Sequence, residues 1–263
     1  MKQGREFASV HPIAPVPPPI AGKGDPLKLV IALITVAALT LPAYGAVTPA
    51  PYIATYAVSY RGFSVGELRF ELRSEEPERF VLEVQASPHL LARIFVGRKA
   101  LERSVMQIDA EGVRPLSWFV EDGKSGNRKD GELDYDWDKG QVSGIVEGKQ
   151  LVLPTEAGLQ DRTSLQVAVM TKLLRGEEPG AISVLDSDRV RHYSYDRLGV
   201  ERIRTEAGEF ETVLYVSTRI GSSRLSRVWH APSLGYIPVR AEQRRNGKVE
   251  TVMELVRVER QGD

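Results

Sequence analysis

"GELRFELRSEEPERFVLEVQA", residues 66–86, decides the fold. Leu68, Phe70 and Leu72 fall at every second position between Glu67, Arg69, Glu71 and Arg73, and Phe80, Leu82, Val84 and Ala86 repeat the alternation against Glu83 and Gln85. Successive side chains of a strand point to opposite faces, so a period of two makes one face dry and the other wet. Pro77 in the intervening "SEEPE" marks a turn, and the two runs predict an antiparallel hairpin.

Outward from this hairpin the same rhythm continues. Short apolar or alternating runs occupy 94–108, 113–120, 132–137, 142–146, 150–153, 182–185, 190–195, 200–205, 209–220, 225–229, 236–243 and 249–258. Turn signals separate most of them: "AEG" at 110–112, "DKG" at 138–140, "AGE" at 207–209 and Asn246-Gly247, the last being the strongest hairpin signal in the chain. With the opening hairpin, about fourteen strands at this spacing predict a mainly β protein built on a meandering antiparallel sheet.

One segment departs from the pattern. In "LQDRTSLQVAVMTKLLRGEEPG", residues 159–180, Leu165, Ala168, Val169, Met170 and Leu173 recur at helical spacing. Asp161 is placed to accept amide hydrogen bonds at the start, Lys172 and Arg175 stand in the last turn, and Gly176 supplies a stop. A helix over about 160–175, apolar on most of its circumference, is expected to pack on the inner side of a curved sheet or half-open barrel.

The chain of 263 residues carries 35 Lys plus Arg against 35 Asp plus Glu, so no excess charge draws it to nucleic acid or to an anionic membrane. The absence of cysteine excludes disulfides, thiolate metal sites, iron-sulfur clusters and a cysteine nucleophile.

The N-terminal segment reads as a secretory signal. Lys28 precedes the uncharged run Leu29 to Leu39, and Pro42 and "AYGA" follow, so residues 1–45 have the basic flank, short apolar core and small-residue exit of a cleaved leader, cut near Gly45 or Ala46. A retained inner-membrane anchor at 29–45 is the alternative, although a spanning helix of about 20 apolar residues would have to include Pro42 and Gly45. No cysteine follows to take a lipid. Removal of 1–45 leaves 31 basic and 33 acidic residues in a single domain, 46–263, which is expected to be periplasmic with no stable membrane span.

Motifs for specific chemistry are missing. "GELDYDWDKG", 131–140, sets Asp134, Asp136 and Asp138 at alternate positions, but a calcium loop counted from Asp134 needs glycine at Lys139 and glutamate at Ile145. On a strand the three carboxylates spread over about 13 Å and cannot share one ion. His89, His192 and His230 have no histidine within five residues, which removes local zinc spacing. No G-x-S-x-G elbow, phosphate-binding loop or dinucleotide fingerprint occurs, and the serines of "IGSSRLS", 220–226, read as a loop. Asp161 and Ser164 form the most site-like pair, and helix capping accounts for both. Trp118, Trp137 and Trp229 lie among apolar strand residues and are expected in the core. No catalytic residue, metal ligand or cofactor is assigned.

The chain resembles the exported bacterial proteins grouped as domain of unknown function 3108 (DUF3108). The resemblance rests on "YAVSYRGFSVGEL" at 56–68, "GVRPLSWFVEDGK" at 112–124, "LPTEAGLQDRTSL" at 153–165, "ERIRTEAGEFETVLY" at 201–215 and "RVWHAPSLGYIPVRAEQRRNGKVETVMELV" at 227–256, in family order. It implies a mostly β, exported protein and carries no activity with it. Together these readings lead to an expected binding or carrier role for an apolar or lipid-like envelope ligand. The alternatives are an envelope protein-protein interaction module, and an envelope hydrolase using Asp161 together with carboxylates or with His230. The sequence assigns no oligomeric state.

Overall fold

The computed structural model describes residues 47–89, 100–123, 129–219 and 221–260. The leader or anchor expected at 1–45, and the 94–99 part of the run expected to reach Ile108, lie outside the described residues.

The period-two segments form one sheet of 15 strands. In chain order they are β1 (Tyr52–Tyr60), β2 (Phe63–Glu76), β3 (Arg79–Pro88), β4 (Ala100–Asp109), β5 (Gly112–Glu121), β6 (Gly131–Asp136), β7 (Gln141–Val146), β8 (Lys149–Pro154) and β9 (Gln160–Asp161). After helix α1 (Ser164–Leu174) come β10 (Gly180–Asp186), β11 (Arg189–Thr205), β12 (Gly208–Arg219), β13 (Arg224–Ala231), β14 (Ile237–Arg245) and β15 (Lys248–Arg260). The spatial order is β8-β7-β6-β5-β4-β3-β2-β1-β15-β14-β13-β12-β11-β10-β9. Every neighbouring pair is antiparallel except β9 with β10. The expected mainly β sheet with one packed helix is therefore what the chain forms.

The opening hairpin keeps its face pairing: Leu68 stands opposite Ala86, Phe70 opposite Val84 and Leu72 opposite Leu82. Phe70, Leu72 and Leu82 are buried, and each fully buried side chain of this kind contributes about 1.5–3 kcal/mol. Register shifts at Val58/Ser59, Ser74/Glu76, Val105/Met106 and Trp229/His230 mark bulges, which bend and twist a sheet. The runs expected separately at 190–195 and 200–205 are one strand, β11, because the chain passes between them through such an irregularity at Arg197/Gly199 and not through a turn.

The sheet curls until its β9 edge meets the inner face of β4 and β5. There the Gln160 side-chain amide donates to the Val113 carbonyl (2.8 Å) and the Ser104 hydroxyl donates to Asp161 (2.6 Å). Trp118, Val120, Leu133, Tyr135 and Val142 from β5–β7 pack with Leu159 and Leu185 over the same junction.

Helix α1 is 11 residues, about three turns rather than four, because Gln160 and Asp161 are drawn into strand pairing before it begins. It ends as expected. Gly176, at φ +74°, takes the left-handed conformation that lets its amide reach the Leu173 carbonyl (3.1 Å) and the Glu177 amide reach the Lys172 carbonyl (2.9 Å). Val167, Ala168 and Met170 enter the cluster of Tyr52, Tyr56, Leu72, Leu82, Met106 and Leu255, while Val169 and Leu173 turn to Ile182, Val184 and Tyr215. The helix lies between two apolar clusters and fills the concavity. Among the described residues no helix is long and apolar enough to cross a membrane.

Candidate ligand-binding groove

The turn between β9 and α1 is organised by one carboxylate. Asp161 is 1% exposed, and its Oδ1 accepts the amide hydrogens of Thr163 (2.7 Å) and Ser164 (2.8 Å), the free donors of the first helical turn. Its Oδ2 accepts the Ser104 hydroxyl, and its own amide donates to the Ser164 hydroxyl (3.0 Å). Capping thus occupies both Asp161 and Ser164. Burial pushes the Asp161 carboxyl up to about 6, against the opposing pull of the hydrogen bonds from Ser104, Ser164 and Thr163 and with a smaller upward push from Glu102.

A second carboxylate fixes the next residue. Glu102 Oε1 accepts the Trp118 indole N–H (2.8 Å) and the Thr163 hydroxyl (2.8 Å), and pairs with Arg162 Nε at 3.4 Å. The Arg162 guanidinium also lies 5.1 Å from the Trp118 ring centre, a cation-π contact. Held from two sides, Arg162 projects beside the start of α1.

There it borders a groove of about 300 Å³. Leu165 of α1 forms part of one wall; Val184, Asp186 and Tyr193 come from β10 and β11, Ser217 and Arg219 from β12, and Ser222, Arg224, Leu225, Ser226 and Gln243 from the β12–β13 turn, β13 and β14. Asp186 is engaged by Arg191 at 2.8 Å. Arg219 and Arg224 have no carboxylate within ion-pair distance among the described residues. The lining mixes guanidinium, carboxylate, hydroxyl, amide and aliphatic groups, while α1 occupies the apolar interior.

The other candidates fall elsewhere. His230 is buried with Nδ1 at 2.9 Å from the Tyr236 carbonyl oxygen, the ring standing edge-on to Tyr215 (centroids 6.1 Å apart). Burial pushes its imidazole down to about 4 despite that hydrogen bond. No hydrogen bond links it to Asp161 among the described residues. Asp134 points outward between buried Leu133 and Tyr135, and Asp136 closes the turn by accepting from the Lys139 amide (2.9 Å) and ammonium (2.6 Å). No group of three His, Cys, Asp or Glu converges among the described residues. Trp118 and Trp229 are buried, and Trp137 is partly buried with its N–H on the Pro115 carbonyl (2.7 Å). Sequence reasoning noticed Ser222 and Ser223 but missed the two arginines that flank them; the available signal was "RIGSSR", two cations across a four-residue turn with no acid between.

A long, almost wholly antiparallel sheet curled around helix α1 defines a β-barrel-like fold among the described residues. The model of the family described as "Protein of unknown function (DUF3108)" matches residues 55–254, and the chain belongs to that family. Among solved structures, the β-barrel-like protein of domain of unknown function DUF1849 from Brucella abortus is similar at 11% identity and TM-score 0.54, the match covering 82% of this chain and 100% of that one. A looser likeness, at 11% identity and TM-score 0.38, is to a protein described as exported with a YmcC-like fold from Bacteroides fragilis NCTC 9343, covering 81% of this chain and 96% of that one. No curated protein is significantly similar in sequence.

Proposed function

We propose that this protein is an exported, non-catalytic binding domain of the cell envelope, and that the groove beside the start of α1 holds a small ligand with a polar end and a short apolar part. The observation that carries the reading is the groove itself: about 300 Å³, at the lower limit of ordinary ligand sites, with Leu165, Val184 and Leu225 set among serines and arginines. This narrows the lipid-like ligand expected from the sequence. A bulky acyl chain would have to displace Val167 and Met170, both 1% exposed or less. The protein recovered from the periplasm should lack residues 1–45, and native mass spectrometry should show a bound small molecule that is lost when Ser217→Trp fills the groove. Retention of the same molecule by the filled variant would defeat the reading.

A second reading, an envelope interaction module, draws on Phe63, which is 77% exposed at the β1–β2 turn beside the exposed Tyr60. Cross-linking that captures a specific envelope protein through Phe63, and is lost in Phe63→Ser, would favour it.

A further inference from the structure

Two arginines of the groove serve no visible structural purpose. Arg219 ends β12 and Arg224 begins β13, so the short turn between them sets both cations on one lip. The Ser222 amide bonds the Arg219 carbonyl (3.1 Å) and the Arg224 amide bonds the Ser222 hydroxyl (3.1 Å), which draws the turn together with the backbones of both arginines in it. Arg224 stands directly across the β13–β14 ladder from Arg245, a like-charge pair that weakens a sheet. Arg219 is half-buried and Arg224 exposed, and with no carboxylate partner among the described residues both guanidinium groups are free to take an anion from solution.

The surroundings specify what could bind. Arg162, restrained by Glu102 and Trp118, borders the same space, and the Asp186 carboxylate is neutralised by Arg191. Ser217, Ser222, Ser226 and Gln243 add uncharged hydrogen-bond donors around the guanidinium groups, and Leu165 and Val184 offer apolar contact. A guanidinium presents a planar fork of donors that matches the paired oxygens of a carboxylate or phosphate. Resting on the groove reading above, we infer that Arg219 and Arg224, with Arg162 bordering the same space, bind the phosphate or carboxylate group of the ligand, whose first few carbons lie against Leu165 and Val184. The site selects anionic over neutral head groups.

The test is titration calorimetry on the purified protein with inorganic phosphate, dodecyl phosphate, dodecanoate and, as the neutral control, dodecyl maltoside, each below its micelle concentration. Wild type should bind dodecyl phosphate or dodecanoate at least tenfold more tightly than dodecyl maltoside. Arg219→Gln and Arg224→Gln should each weaken the anionic ligand about tenfold, as loss of one charge-assisted hydrogen bond requires, while thermal stability is kept or raised. Inorganic phosphate binding as tightly as dodecyl phosphate would identify a free anion as the occupant, and a weaker inorganic ion an amphiphile; both require the arginines. Equal binding of dodecyl maltoside, or anionic binding untouched in both variants, overturns the anion assignment and leaves the groove reading standing. Failure of every probe to bind overturns both.

Discussion

Replacing Asp161 by Asn isolates the energetics of the β9–α1 turn. In the folded protein burial raises this carboxyl from 3.8 to about 6. At 1.36 kcal/mol per pH unit the displacement corresponds to about 3 kcal/mol. Because the folded state holds the proton more tightly, the stabilising contribution is complete below pH 3.8 and is lost as pH rises through about 6. Asn keeps an Oδ1 for the Thr163 and Ser164 amides and turns an NH₂ toward the Ser104 hydroxyl, which can rotate to accept it. It therefore imitates the protonated acid at every pH. The stability difference between wild type and Asp161→Asn should shift in favour of the variant by about 3 kcal/mol between pH 3.5 and 7.5, in addition to any pH-independent packing offset. His230 provides a built-in contrast: pushed down from 6.5 to about 4, its contribution is present above pH 6.5 and is lost as pH falls through about 4. Between pH 4 and 6 the two groups oppose each other, so these two together leave the wild-type profile nearly flat and the variant should lose stability toward acid. Urea titrations followed by tryptophan fluorescence resolve this as a change of about 1 M in the midpoint difference. Curves that stay parallel within 1 kcal/mol across the window would refute the assignment of Asp161 as a strained buried acid.

Three further outcomes follow from burial and backbone geometry. The His230 ring protons should titrate near pH 4 by NMR, and a midpoint at 6 or above would show that the ring is not buried as described. Met170→Ala, at 1% exposure in the helix that fills the sheet, should cost about 2–5 kcal/mol in a urea titration through the cavity it leaves. Gly144→Ala should be far worse than an ordinary strand substitution, since the residue has φ +157° and an added Cβ would run into the Glu132 carbonyl oxygen across the β6–β7 ladder; proteolysis should show this edge of the sheet opened.

The sheet was legible because its faces differ. Leu68, Phe70 and Leu72 alternate with charged residues, and a one-residue slip would have turned all three to water. The boundary of α1 was harder, because Asp161 looks the same as a helix cap whether the helix begins there or, as found, after two residues committed to strand pairing. The division of β11 was misread for a related reason: a bulge and a turn both interrupt alternation, and only the partner strand distinguishes them. Of the groove, only the arginine pair of "RIGSSR" left a mark in the sequence. Its lining comes from the start of α1 and from five strands between 184 and 243, and arginines read one at a time look like the wet face of any strand.

That the polar groove lies beside α1 rather than inside the sheet has a physical origin in the helix. A curled antiparallel sheet encloses apolar volume between its faces, and this chain fills it with its own Val167 and Met170 against Tyr52, Tyr56 and Leu82. The filling is coupled to the groove through consecutive residues. Asp161 anchors the first helical turn to β4 through Ser104, Arg162 leaves that turn under restraint from Glu102 and Trp118, and Leu165 one turn later forms part of the groove wall. A ligand pressing on Arg162 and Leu165 would therefore load the same turn that seats α1 in the core. Binding and the stability of that turn are linked: a ligand that engages both residues should slow amide hydrogen exchange in the first turn of α1, and one that touches the β12–β13 lip alone should not.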